Sequence, residues 1–167
     1  MKEKILNYLK RTGLFFIAHP LSHWLGVVIS GVIGVIAAFI LKEDYPLYAA
    51  TIEYVCLFTF PFLSLFVMVF YFTGYDESAR FSPKAVIASL MPLFVTQWIY
   101  FFIWGPAFWI HGNCALLSFL LFPEHPLKLW PDIVILLGLQ LSVYLPIYFF
   151  ASRCGYIRKK KEESYSE

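Results

Sequence analysis

Glu53 is the one carboxylate set well inside a long apolar run of this chain. A charge in a lipid-like surrounding is costly, and such residues mark ion or proton sites by default. Glu53 is therefore a candidate transport or proton group, with Gln97 and Gln140 as polar companions in other apolar runs. A plainer alternative is a hydrogen bond from Glu53 to Gln97, Tyr100 or Gln140. A second group of residues suits metal chemistry by type but not by spacing. His111, Glu124, His125 and Asp132 include imidazoles and carboxylates, the donors a divalent ion takes. Glu124 and His125 are adjacent and the others scatter, so no zinc-like pattern is present. They are a weak metal set, and the chain is expected to hold no metal and no cofactor. His19 and His23 stand four apart, split by Pro20, and read as an interfacial pair rather than as ligands.

Catalytic signatures are absent from the sequence. There is no glycine-rich phosphate loop, no His-Glu-x-x-His and no Ser/His/Asp signature. Cys56, Cys114 and Cys154 form no Cys-x-x-Cys, and a thiol oxidoreductase is disfavoured. The expectation is a protein that is not an enzyme.

Two further patterns concern packing. Gly26, Ser30, Gly34 and Ala38 recur every fourth residue, which places them on one helix face. Small residues there allow another helix to approach closely. That helix belongs either to this chain or to a partner. Pro61, Pro92 and Pro146 each fall inside an apolar run, where a proline removes one hydrogen bond and kinks a helix. With Thr59, Thr96, Gln97 and Gln140, such kinks can frame a polar cleft.

The elements that must position these residues follow from composition. The 167 residues are 60% hydrophobic, 20% aromatic and 14% charged. A soluble domain is nearer 45–50% apolar and roughly 25% charged. This is an all-α integral membrane protein on its sequence, a single membrane domain with four transmembrane helices at 21–41, 47–73, 85–103 and 132–152. Each has about the 20 apolar residues that a bilayer core of roughly 30 Å requires. Only helices or closed barrels satisfy their backbone polar groups there.

Charge sets the direction. Of 13 Lys and Arg residues, all but Lys42 and Lys128 fall on one side of these spans. The positive-inside bias makes that side cytoplasmic, N-in and C-in. Residues 1–20 read as an amphipathic in-plane helix, with Ile5, Leu6, Leu9, Phe16 and Ile17 on one face. Residues 104–130 read as an outer interfacial or re-entrant segment, and 153–167 as a disordered cytoplasmic tail. The short loops fit a bacterial cytoplasmic membrane.

These features lead to one functional expectation and one rival. The expectation is a non-enzymatic multi-pass protein that acts as a homo-oligomer or as a subunit of a larger membrane complex. Its partners are the lipid bilayer and itself or another membrane protein, with no nucleic acid. The rival is a small transporter or channel that uses Glu53.

Overall fold

A computed structural model describes residues 2–73, 81–104 and 129–165 of the chain. Among these residues the chain is helical, and four helices are long and apolar enough to cross a membrane. Helix α1 covers Lys2–Leu41, α2 covers Tyr45–Thr73 and α3 covers Pro83–Trp104. The last rod is built from α4 (Leu129–Leu139), a π turn (Gln140–Tyr144) and α5 (Leu145–Ser164). Most of the expected segment 104–130, with His111, Glu124 and His125, lies outside the described residues.

The first correction concerns α1. Residues 1–20 and 21–41 do not form two elements; one 40-residue helix runs through Pro20. A proline removes a single backbone bond, and such losses are tolerated in apolar helices. The packing explains why continuity wins. Arg11, Phe15, His19, His23, Gly26, Ser30 and Gly34 are all buried and follow one another at three- or four-residue steps. This stripe stays on one face only if the helix does not break. Ile5, Leu6, Leu9 and Ile17 lie off it and are exposed.

Helices α1 and α2 form a tight hairpin. Their connection is a 3₁₀ turn, Lys42–Asp44, and Lys42 takes a left-handed φ of 47°. The two helices are in tight contact at Gly26. A Cβ added there would sit 2.5 Å from Pro61 Cγ and 2.6 Å from the Pro61 nitrogen. Pro61 thus lies within an unbroken α2, against an α1 position that has no side chain.

The core is gathered in one half of the bundle. Phe15 and Ala18 of α1, Leu65 and Val69 of α2, Leu90 and Leu93 of α3, and Leu136 and Tyr148 of the last rod are buried together. Beyond Gly26, the only buried residues of α1 are Ser30 and Gly34. Val28, Val32, Val35 and Phe39 are exposed there. Outward apolar faces of this kind are what helices built for a lipid environment present.

The last rod also departs from expectation. It does not end near Ser152 in a disordered tail; α5 continues as helix to Ser164. Arg158 and Glu162 are 3.7 Å apart, and Lys159 and Glu163 are 3.9 Å apart, each at the helical i, i+4 spacing. The Arg158 guanidinium also lies 5.0 Å and 4.9 Å from the ring centres of Phe70 and Tyr71. Upstream, Pro146 has no N–H, and the chain widens into a π turn just before it. There the Leu145 N–H donates to the Gln140 carbonyl. A π turn is a recognised way to absorb such a break in the ladder.

Candidate functional site

Five buried or half-buried polar side chains from three helices form one continuous hydrogen-bonded chain. Helix α3 supplies neighbours Gln97 and Trp98. The π turn supplies Gln140, and α5 supplies Tyr148. Helix α1 supplies His19. The Trp98 Nε1–H donates to Gln140 Oε1 at 2.9 Å. Gln140 Nε2 donates to Gln97 Oε1 at 2.8 Å. Gln97 Nε2 lies 2.7 Å from His19 Nε2, and His19 Nδ1 lies 3.2 Å from the Tyr148 hydroxyl. His19 and Tyr148 are fully buried, and Gln97 and Gln140 nearly so.

Aromatic rings close the sides. The rings of His19 and His23 are 5.0 Å apart, and Tyr144 stands 4.8 Å from His19. The Tyr144 hydroxyl is 3.3 Å from His23 Nε2. Phe15 packs on Tyr148 at 4.7 Å, and Phe62 of α2 packs on Tyr144 at 5.4 Å. The π turn has a local role here, since Gln140, Tyr144 and Tyr148 all turn inward across it.

The direction of the chain of bonds follows from its first donor. An indole N–H can only donate. It fixes Gln140 with its oxygen toward Trp98 and its NH₂ toward Gln97. Gln97 must then present its oxygen to Gln140 and its NH₂ to His19. His19 Nε2 is left to accept, which puts the ring proton on Nδ1, facing Tyr148. His19 is thereby neutral, and both its ring nitrogens are occupied. That leaves no open nitrogen for a metal or haem. Among the described residues, no group of three or more His, Cys, Asp or Glu is arranged to hold a metal ion.

The sequence-derived candidates are distributed differently from expectation. Gln97 and Gln140 do meet, but Glu53 does not join them; it is exposed and lines a groove between α1 and α2. The groove has a volume of about 380 Å³ and is lined by Val27, Ser30, Gly31, Gly34, Val35, Ala38, Tyr45, Glu53 and Leu57. The small-residue face is therefore divided. Gly26 is spent on Pro61 within the chain, while Gly34 and Ala38 face the groove. Thr96 turns its hydroxyl back onto the Pro92 carbonyl at 2.7 Å, and Thr59 is exposed, so neither lines a cleft with the two glutamines. Asp132 is fully buried, two turns before Gln140 on the same face of the rod. Cys56 is buried, Cys154 is exposed, and both are free thiols.

Sequence reasoning placed His19 and His23 at an interface, and the structure buries both in the bundle. It passed over Trp98, Tyr144 and Tyr148 altogether. One signal was present. His19 and His23 continue the stripe that runs from Arg11 to Gly34, and that stripe is the packed side of α1.

No family model matches the chain, and neither a curated protein nor a solved structure matches it.

Proposed function

We propose that this chain is a non-enzymatic membrane module that acts by lateral association, as a subunit or accessory of a larger membrane complex. In this reading its four spans sit N-in and C-in in a bacterial cytoplasmic membrane. One observation carries the proposal: the groove along α1 and α2, with Gly31, Gly34 and Ala38 on its floor and a single carboxylate, Glu53, on its wall. Gly31 is exposed, and a Cβ there would meet nothing within 4 Å; Gly34 is buried, and a Cβ there would meet the Tyr45 hydroxyl at an ordinary contact distance of 3.6 Å. A helix can come close to such a floor. A symmetric pair of copies using this groove brings two Glu53 side chains together. A partner helix that offers a cation or a hydrogen-bond donor at that depth suits the carboxylate better.

The buried polar network supports the same reading. It is bonded end to end and joins α1, α3 and the last rod, which is how a satisfied network fixes one packing arrangement. Its middle links are amides, and an amide does not readily hand a proton on.

The test is assembly in mild detergent. Gly31→Leu and Gly34→Leu are expected to abolish association while leaving the thermal midpoint of the chain within a few degrees of wild type. Retained association in both variants refutes the groove as the interface.

A second reading is a small carrier with Glu53 as its protonatable or cation-binding group, and the position of Glu53 on the groove wall favours it over other transport schemes. It predicts that Glu53→Gln abolishes ion flux in proteoliposomes without unfolding the protein. The association reading predicts no flux to lose.

A further inference from the structure

A second, much smaller cavity lies at the end of the α1–α2 hairpin away from the association groove. Its polar wall includes Arg11 of α1, Thr73 at the end of α2, Ser82 just before α3, and Ser152 of α5. We propose that this cavity is a binding site for one water molecule, which bridges α5 to the adjoining ends of the other helices. The site is separate from association through the groove.

Ser152 carries the argument. The residue is fully buried, and its hydroxyl has no hydrogen-bond partner among the described residues. A helical serine ordinarily satisfies itself by turning its hydroxyl back onto a carbonyl three or four residues earlier. Ser22, Ser30 and Ser89 do so here, onto the carbonyls of His19, Gly26 and Ala85, at 2.7, 2.7 and 2.9 Å. Ser152 does not, and it lines the cavity instead. A buried hydroxyl without a partner is costly, and native structures satisfy such groups with protein atoms or ordered water.

The volume selects the ligand. The cavity measures about 10 Å³. About 10–15 Å³ is the room that a single water needs. An oxyanion carries several oxygens, each close to the size of a water, and a lipid headgroup is larger still. Neither fits.

The chemistry of the wall agrees with the size. Thr73 donates its hydroxyl proton to the Val69 carbonyl, so toward the cavity it can accept. Ser82 Oγ accepts from the Ala85 N–H at 3.4 Å, so its own proton can be donated. The Arg11 guanidinium can only donate, and the Ser152 hydroxyl can do either. Water both donates and accepts, and it finds both kinds of group here. A buried water needs two to four polar partners, which this wall supplies. A small cation would instead face the charge of Arg11. The bridge lies about two turns along α1 from His19, so it fixes a level of the bundle that the chain from Trp98 to Tyr148 does not reach.

The direct test is a crystal structure of the full chain grown from a lipid mesophase, at a resolution that shows ordered water. One water is expected within hydrogen-bond distance of Ser152 Oγ and of at least one of Arg11, Thr73 and Ser82. A dry cavity overturns the proposal, and so does a Ser152 hydroxyl bonded to the Tyr148 carbonyl. In mild detergent, ¹⁷O relaxation dispersion counts long-lived internal waters. Ser152→Val fills the space with apolar atoms, and the count is expected to fall by one. Ser152→Ala keeps the space and removes one partner. It is expected to shorten the residence of that water by about tenfold, the worth of one hydrogen bond. An unchanged count in Ser152→Val overturns the proposal. An unchanged residence in Ser152→Ala does so as well, and is decisive even if Ser152→Val fails to fold.

Discussion

Gly26→Ala is the sharpest single test of how α1 and α2 meet. In a helix, alanine is ordinarily better than glycine by about 1 kcal/mol. At position 26 the new methyl would lie 2.5 Å from Pro61 Cγ and 2.6 Å from the Pro61 nitrogen. Ordinary carbon contacts are near 3.5–4.0 Å. The two helices would have to separate by about 1 Å, and neither side can yield locally, because a proline ring and a backbone nitrogen have no rotamer to change. Overpacking of this kind costs about 1–3 kcal/mol or more. Allowing for the helix gain, the net loss is expected at about 1–2 kcal/mol. Gly31→Ala is the internal control. A methyl there meets nothing within 4 Å, so only the propensity gain of about 1 kcal/mol remains. The pair should thus differ by about 2–3 kcal/mol in opposite directions. The assay is reversible denaturation of both variants in one mixed-micelle system, followed by far-UV circular dichroism. Equal stabilities for Gly26→Ala and Gly31→Ala would show that α1 does not rest on Pro61 at Gly26.

Three further substitutions probe other parts of the fold. Gln97→Leu removes the link between Gln140 and His19 and strands a donor and an acceptor in the core. Bonds between membrane helices average only about 0.6 kcal/mol, but stranded buried groups cost more, so a loss of about 2 kcal/mol is expected in the same denaturation assay. Lys42→Gly relieves the left-handed φ of 47° and should raise stability by about 1 kcal/mol, read as a higher thermal midpoint. Arg158→Ala removes a cation stacked over Phe70 and Tyr71, at about 0.5–1 kcal/mol, and increased exchange at the start of the 158–164 helical turn checks it.

The four apolar helices were legible because the hydropathy of each run exceeds anything a soluble core of this size requires. The boundaries were less so. Pro20 suggested a break, since local rules weigh a proline heavily. The stripe from Arg11 to Gly34 argued the other way, and one lost hydrogen bond is small beside seven inward positions. The tail was read as disordered from its charge, although Arg158–Glu162 and Lys159–Glu163 have helical spacing. The candidate site was half legible. Gln97 and Gln140, read as polar companions of Glu53, bond to each other in the core, while Glu53 stands apart on the groove. Which face of one helix meets which face of another depends on rotations that a single sequence does not encode. Trp98 and Tyr148 resemble every other aromatic in a chain with 5 Trp and 11 Tyr. Only their placement beside an amide and an imidazole sets them apart.

The uneven distribution of the core has a mechanical side. From Arg11 to Gly26, α1 is clamped by side chains of three other elements; from Val27 to Leu41 its buried residues are only Ser30 and Gly34. The outer part of the α1–α2 hairpin is therefore a cantilever, about 22 Å long from Gly26 to Leu41 at 1.5 Å per residue. A rotation of about 6° at the clamp carries its tip sideways by about 2 Å. Because α1 passes through Pro20 as a single rod, a small adjustment around His19 becomes a larger excursion at the Lys42–Asp44 end.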